Sequence, residues 1–362
     1  MLEIDKVLTL AVKRQASDIH LKVGRYPVFR IDGKLFSITD FPKLEGEDIL
    51  KTAASMMNNH TRTKFKETFE ADFSYSIPNL GRFRVNTYLQ RGTPVMVFRA
   101  IPREIPNIDS LFLPEVIKKI ALENRGLILV TGTTGSGKST TLASMIDHIN
   151  REKDVNIITI EDPVEFLHRD IKSIISQREV GTDTLSFQEA LKRSLRQDPD
   201  VILVGEMRDL ETIETAMLAA ETGHLVMSTL HTLDAPETIN RIISVFPPYH
   251  QRQVRIQLGS ILKAIISMRL VPRKDGKGRV PAVEVMINTA TIRECIMDKE
   301  KTTMINDYIE SGRNVYGSQS FDQSLFELFK KDLISPDDFT LKVKGVHSTS
   351  GVAWEDDRSE SI

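Results

Sequence analysis

Cysteine is nearly missing from this chain: Cys295 is the only one among 362 residues. That excludes an internal disulfide and any cysteine-based zinc site, and it suits a reducing cytosol. No apolar stretch approaches the roughly 18 residues that a membrane span requires. The opening MLEIDKVLTLAVKRQ carries early acidic residues and no small-residue cleavage site, so no signal peptide is expected, and its helical apolar spacing predicts an amphipathic first helix. Net charge is also small, with 48 Lys and Arg against 50 Asp and Glu. Without a long basic or aromatic-interleaved run, that balance disfavours a nucleic-acid motor or direct insertion into a membrane.

What is present begins at GTTGSGKST, residues 132–140, which follows the apolar run Leu127–Val130 and leads into TTLASMIDHI. The pattern G-x-x-x-x-G-K-[ST] between a buried strand and a helix is a phosphate cradle for ATP with Mg2+. Glycines let backbone N–H groups turn inward at phosphate oxygens, and the helix N-terminus adds its field. The expected nucleotide contacts are Gly132, Thr133, Thr134, Gly135, Ser136, Gly137, Lys138, Ser139 and Thr140. Lys138 reaches the β- and γ-phosphates, and the Ser139 hydroxyl ligates magnesium.

Around this loop the periodicity alternates apolar strands with helices, which predicts an α/β fold with a doubly wound parallel sheet. Predicted strands are 127–131, 156–160, 201–204 and 225–229, with helices at 186–196 and 210–221. The stretch from about 250 to 346 reads as mostly helical, QRQVRIQLGSILKAIISMRL included. Before the loop, residues 18–100 read as a small α+β module with a hairpin at Asp32–Gly33 and strands in FSYSIP, GRFRVNTYLQ and TPVMVFRAI. Alternation within GRFRVNTYLQ puts Arg82 and Arg84 on one face, opposite Phe83 and Val85. The expected division is 1–100 for the first domain, 101–113 for a proline-bearing extended linker and hinge, 114–346 for the ATPase domain with C-terminal helices, and 347–362 for a disordered tail.

Polar residues mark three further strand ends, where ligands of such sheets sit. ITIEDPVEF presents Glu161, Asp162 and Glu165, ILVGEMRD presents Glu206, and VMSTLHT presents His231. Hydrolysis needs a group to orient or deprotonate water and a carboxylate near the magnesium shell; Glu161 and Glu206 suit both tasks, with Glu161 preferred as base and Glu206 near the metal. His231 is placed to contact the γ-phosphate or to relay its loss. His224 has two readings, a site residue or the closure of the Thr222–Gly223 turn.

These segments, with ASDIHLKVG, GRFRVN and SFDQSL, closely resemble the secretion-superfamily ATPases that drive type IV pili, and most nearly the PilT-type retraction (twitching motility) ATPases. The resemblance implies a PAS-like first domain, a RecA-like second domain and a cytoplasmic homohexamer at the inner face of the cytoplasmic membrane. It also implies work on an inner-membrane platform protein at the pilus base, with related pilus ATPases as further partners. In that family GTTGSGKS is the Walker A loop, EDPVE the aspartate box, VGEMRD an atypical Walker B and GHLVMSTLHT the histidine box. It further implies that Arg84, with Arg82 and Arg99, completes a neighbouring subunit's site. The stretch ATIRECIMDKEK departs from the family's AIRNLIRE-like helix, having Met297 and Asp298 where arginine and glutamate are usual, so an accessory retraction paralogue stays open. Pilus extension or type II secretion is a competing role within the same superfamily. A nucleotide-switched binding module with little turnover is a competing role of another class.

Overall fold

Asp32 and Gly33 both adopt left-handed backbone (φ 46° and 78°), closing a two-residue turn between the strands Val28–Ile31 and Lys34–Ser37 whose direction matches strand twist. In the computed structural model, which describes residues 2–340 except 79, 102 and 103, the chain divides into two compact units. The first comprises 2–105 together with 161–168 and 178–185; the remaining described residues form the second.

The first unit contains β1 (Asp18–Lys22), β2 (Val28–Ile31), β3 (Lys34–Ser37), β4 (Glu70–Ile77), β5 (Gly81–Gln90) and β6 (Thr93–Ala100) in one antiparallel sheet of order β3-β2-β1-β6-β5-β4. Helices α1 (Ile4–Lys13), α2 (Gly46–Met56) and α3 (Asn59–Thr68) accompany it. Its core gathers Phe29, Phe83, Phe98, Ile19 and Met96 with Val7 and Leu8 of the amphipathic α1. Arg91 and Gly92, again left-handed, turn β5 into β6.

The second unit holds α4 (Val116–Ala121), β7 (Gly126–Thr131), α5 (Lys138–Glu152), β8 (Asn156–Glu161), β9 (Ile174–Glu179), α6 (Phe187–Ser194), β10 (Val201–Val204), α7 (Leu210–Glu221) and β11 (Leu225–Leu230), except that Glu161 at the end of β8 and Arg178 and Glu179 at the end of β9 belong to the first unit. After these come α8 (Ala235–Ser244), α9 (Gln251–Ile261), β12 (Leu262–Pro272), β13 (Arg279–Ile287), α10 (Ala290–Met297), α11 (Ile305–Ser311), α12 (Arg313–Tyr316) and α13 (Phe321–Lys330). Its sheet has the order β13-β12-β7-β11-β10-β8-β9, in which β12, β7, β11, β10 and β8 run parallel and β13 is antiparallel to β12. The phosphate-loop strand β7 lies inside the sheet, between β12 and β11, and is buried along its whole length. That environment accounts for its unbroken apolar run.

Two expectations are corrected. The segment read as mostly helical from about 250 onward is interrupted between Ile261 and Ala290, where LKAIISMRLVP forms β12 beside β7 and RVPAVEVMI forms β13; helices resume with α10. β12 is buried through most of its length, so it lacks the alternation that would have marked it. The stretch read as extended linker belongs to the second unit from Pro106 onward, because Ile108 and Leu113 are buried in its core. The expected disordered tail at 347–362 lies outside the described residues. No helix among the described residues is long and apolar enough to cross a membrane.

Candidate functional site

The turn from β7 into α5 can be made only with glycine at its start. Gly132 has φ 138°, and a Cβ there would lie 2.5 Å from the Met268 carbonyl oxygen on β12 and 2.6 Å from Ser136 Oγ. Gly135 and Gly137 are also left-handed, and α5 starts at Lys138 immediately after. Lys138 is buried, and its Nζ donates to the carbonyls of Gly132 (2.8 Å) and Thr133 (3.0 Å), which draws the loop around the ammonium group. Ser136 Oγ and, at the end of β7, Thr131 Oγ1 are buried and have no hydrogen-bond partner among the described residues. Buried hydroxyls normally have partners. Here the orphaned oxygens, a cradle that a Cβ would fill and a helix N-terminus together fit a phosphate chain. Thr133, Thr134, Gly135 and Ser139 face solvent, and Thr140 is half-buried.

Glu206 follows β10 in the same unit, and its carboxylate is largely buried. Its Oε2 forms an ion pair with Arg208, 2.7 Å from Nε, and lies 3.6 Å from His231 Nε2. The strand ends are laced together, since Ser228 Oγ donates to Val204 O at 2.7 Å and Thr229 Oγ1 to Gly205 O at 2.6 Å. Two of the residues singled out in the sequence, Glu206 and His231, are therefore neighbours. Arg208 was left unassigned; a guanidinium two residues beyond Glu206 in the same turn was the available signal.

Beyond His231 the chain enters α8, whose first amide is held from below. Asp234 caps the helix by accepting from Glu237 N at 2.8 Å, and Glu284 Oε1 on β13 accepts from Ala235 N (2.9 Å) and Ser267 Oγ (3.0 Å). Glu284 is buried; desolvation, and then the Asp234 charge, push its carboxyl up to about 7. His224 takes its second reading: Nδ1 is 2.9 Å from Ala219 O and so closes the C-terminal turn of α7.

Within the first unit the three arginines differ. Arg82 Nη2 donates to Glu179 Oε2 at 2.6 Å, and Arg99 Nε donates to Asp18 Oδ1 at 2.9 Å. Burial alone would raise the Asp18 carboxyl, but the hydrogen bonds from Arg99 and Ser17 hold it below its ordinary value. Arg84 is exposed, and among the described residues it makes no ion pair. Glu161, half-buried at the end of β8, has its carbonyl bonded by Val180 N; Asp162 and Glu165 are exposed. Glu179 was missed from sequence. It is buried and also accepts from Ser74 Oγ, Val164 N and Thr182 Oγ1, so it gathers the separate stretches of the first unit.

Among the described residues no group of three or more His, Cys, Asp or Glu forms a metal cage. Nucleotide-bound magnesium needs only one or two protein ligands besides phosphate oxygens and water, and the exposed Ser139 hydroxyl suits that demand.

Comparison with known proteins agrees with this geometry. The family described as Type II/IV secretion system protein matches residues 2–323. The chain is 45% identical to the type IV pilus retraction ATPase PilT of Pseudomonas aeruginosa, over 95% of this chain and 98% of that one. It is 41% identical to the type IV pilus ATPase PilU of the same organism, over 93% and 87%. A crystal structure of the pilus retraction motor PilT with bound ADP superposes with a TM-score of 0.87 at 48% identity, covering 94% of this chain and 97% of that one. With its phosphate loop on an interior strand of a mostly parallel sheet and its similarity running nearly end to end, the chain belongs to the Type II/IV secretion system protein family.

Proposed function

We propose that this chain powers type IV pilus retraction, and with it twitching motility, as a cytoplasmic homohexameric motor acting on a platform protein at the inner face of the cytoplasmic membrane. The chain is an ATP hydrolase. The observation that carries the reading is the phosphate cradle built on β7, in a chain whose likeness to a retraction ATPase leaves almost no part of either sequence unmatched.

In this reading Lys138 leaves its two loop carbonyls for the β- and γ-phosphates, and the orphaned Ser136 hydroxyl gains an acceptor. Ser139 and Glu206 would hold magnesium, which when bound would supply compensation for phosphate charge. Glu161 takes the proton of the attacking water. His231, beside Glu206, senses the γ-phosphate. Arg84, exposed and without a carboxylate partner among the described residues, serves a neighbouring subunit's site; Arg82 and Arg99 support that face.

The test is deletion of the gene in its own cell. Loss of twitching with surface fibres retained or in excess is expected, whereas loss of fibres means extension or secretion. A second reading, an accessory retraction ATPase, is favoured by the likeness to PilU and by Met297, partly exposed on α10 where the retraction helix usually has arginine. In that case deletion weakens retraction without abolishing it.

A further inference from the structure

A cavity of about 330 Å3 opens beside the first turn of α5, wholly within the second unit. Gly137 and Thr140 form its phosphate-loop side, and Met268 and Leu270 of β12 form an apolar floor. Its size falls at the low end of small-ligand sites, which are commonly mostly apolar with a few placed polar groups.

The outer wall is an aromatic ring that the fold displays at some cost. Phe112 has φ 57°, a left-handed conformation that bulky residues seldom adopt, yet its side chain is 44% exposed and fills no core. The turn that presents it is fastened on both sides. Ser110 N donates to Asn107 Oδ1 (2.7 Å), Phe112 N to Asp109 O (3.1 Å) and Leu113 N to Ile108 O (3.4 Å), while Ile108 and Leu113 are anchored in the core. The Arg273 guanidinium lies over the ring in a cation–π contact, 5.5 Å from its centroid, so the two planar groups act as one unit. Arg273 is held by two hydrogen bonds to Asp275, of 3.1 and 2.7 Å, and this leaves the face of its planar group for stacking.

We infer that Phe112 and Arg273 form the platform on which the base of the bound nucleotide stacks, with the cavity receiving the nucleoside while the glycine loop holds the phosphates. This rests on the nucleotide-binding reading above. An exposed aromatic beside a guanidinium suits a flat π-system, and each stacked base adds substantially to affinity whatever its hydrogen-bonding edge. The strained backbone at an otherwise unburied phenylalanine then has a use, because it aims the ring over the cavity.

The experiment compares two probes on the full chain, ADP and inorganic tripolyphosphate, titrated calorimetrically with magnesium. Phe112→Ala is expected to weaken ADP about tenfold or more and to leave tripolyphosphate within twofold of wild type, while Phe112→Trp retains ADP affinity. ADP affinity unchanged in Phe112→Ala, or an equal loss for both probes, overturns the platform and leaves the phosphate loop standing. If the wild type binds neither probe, the phosphate-loop reading itself fails, and the platform fails with it.

Discussion

Arg82 and Glu179 meet at 2.6 Å across 97 residues of sequence, both largely buried within the first unit. Removing one member of such a pair strands a charge in a poorly solvated place. Arg82→Ala is expected to destabilise the protein by about 3 kcal/mol, less than a wholly dry pair would lose because Ser74, Val164 and Thr182 still donate to Glu179. The double variant Arg82→Ala/Glu179→Gln should recover part of that loss. Urea unfolding of the four proteins checks it, and additive losses would mean that the pair is not coupled.

Glu284 links stability to pH. Its folded carboxyl titrates near 7, against 4.5 for the ordinary group, so the folded protein holds a proton that the unfolded chain has released. The stabilisation is full below pH 4.5 and disappears as pH rises through 7, amounting to roughly 3 kcal/mol at most. Glu284→Gln is expected to flatten the dependence between pH 5 and 8, read as midpoints of denaturant unfolding at each pH. A slope equal to wild type would place the proton elsewhere.

Lys138→Ala should abolish hydrolysis with an unchanged circular dichroism spectrum, since the Gly132 and Thr133 carbonyls that its Nζ bonds belong to the loop itself. Arg84→Ala should lower turnover by about 10³-fold or more if its guanidinium stabilises charge on the departing phosphoryl group. Mixing the two inactive proteins is the decisive assay. Partial recovery of ATP hydrolysis means a site shared between subunits, and no recovery at any ratio removes Arg84 from the mechanism.

Gly132→Ala should cost more than a mid-helix glycine exchange, because the new Cβ meets the Met268 carbonyl and Ser136 Oγ at a left-handed backbone. A loss of nucleotide affinity of at least tenfold and a lowered unfolding midpoint are expected together. Gly135→Ala, where nothing lies within 4 Å of the new carbon, should cost only the backbone strain.

Legibility in the sequence followed the range of the interactions. The Asp32–Gly33 hairpin, the phosphate loop and the alternation of β5 are set by residues adjacent in sequence, and the fold has all three. β12 was misread because a strand buried through most of its length shows no alternation, and only its pairing with β7 and β13 identifies it as part of the sheet. Glu206 and His231 were legible as strand-end polar residues, but their 3.6 Å approach depends on the register of β10 with β11. Glu179 gave no signal, because nothing in IISQREVG indicates that Ser74 and Arg82 will donate to it.

The first unit is completed by chain that follows the opening part of the second. During synthesis Arg82 emerges 97 residues before Glu179, an interval of roughly 5 to 20 seconds at ordinary elongation rates. Through that interval the nascent β-sheet exposes a guanidinium and a serine hydroxyl whose acceptor has not yet been made. A fragment ending at residue 105 freezes the chain at that stage. Its solubility and cooperativity would therefore describe a nascent intermediate and not a finished domain.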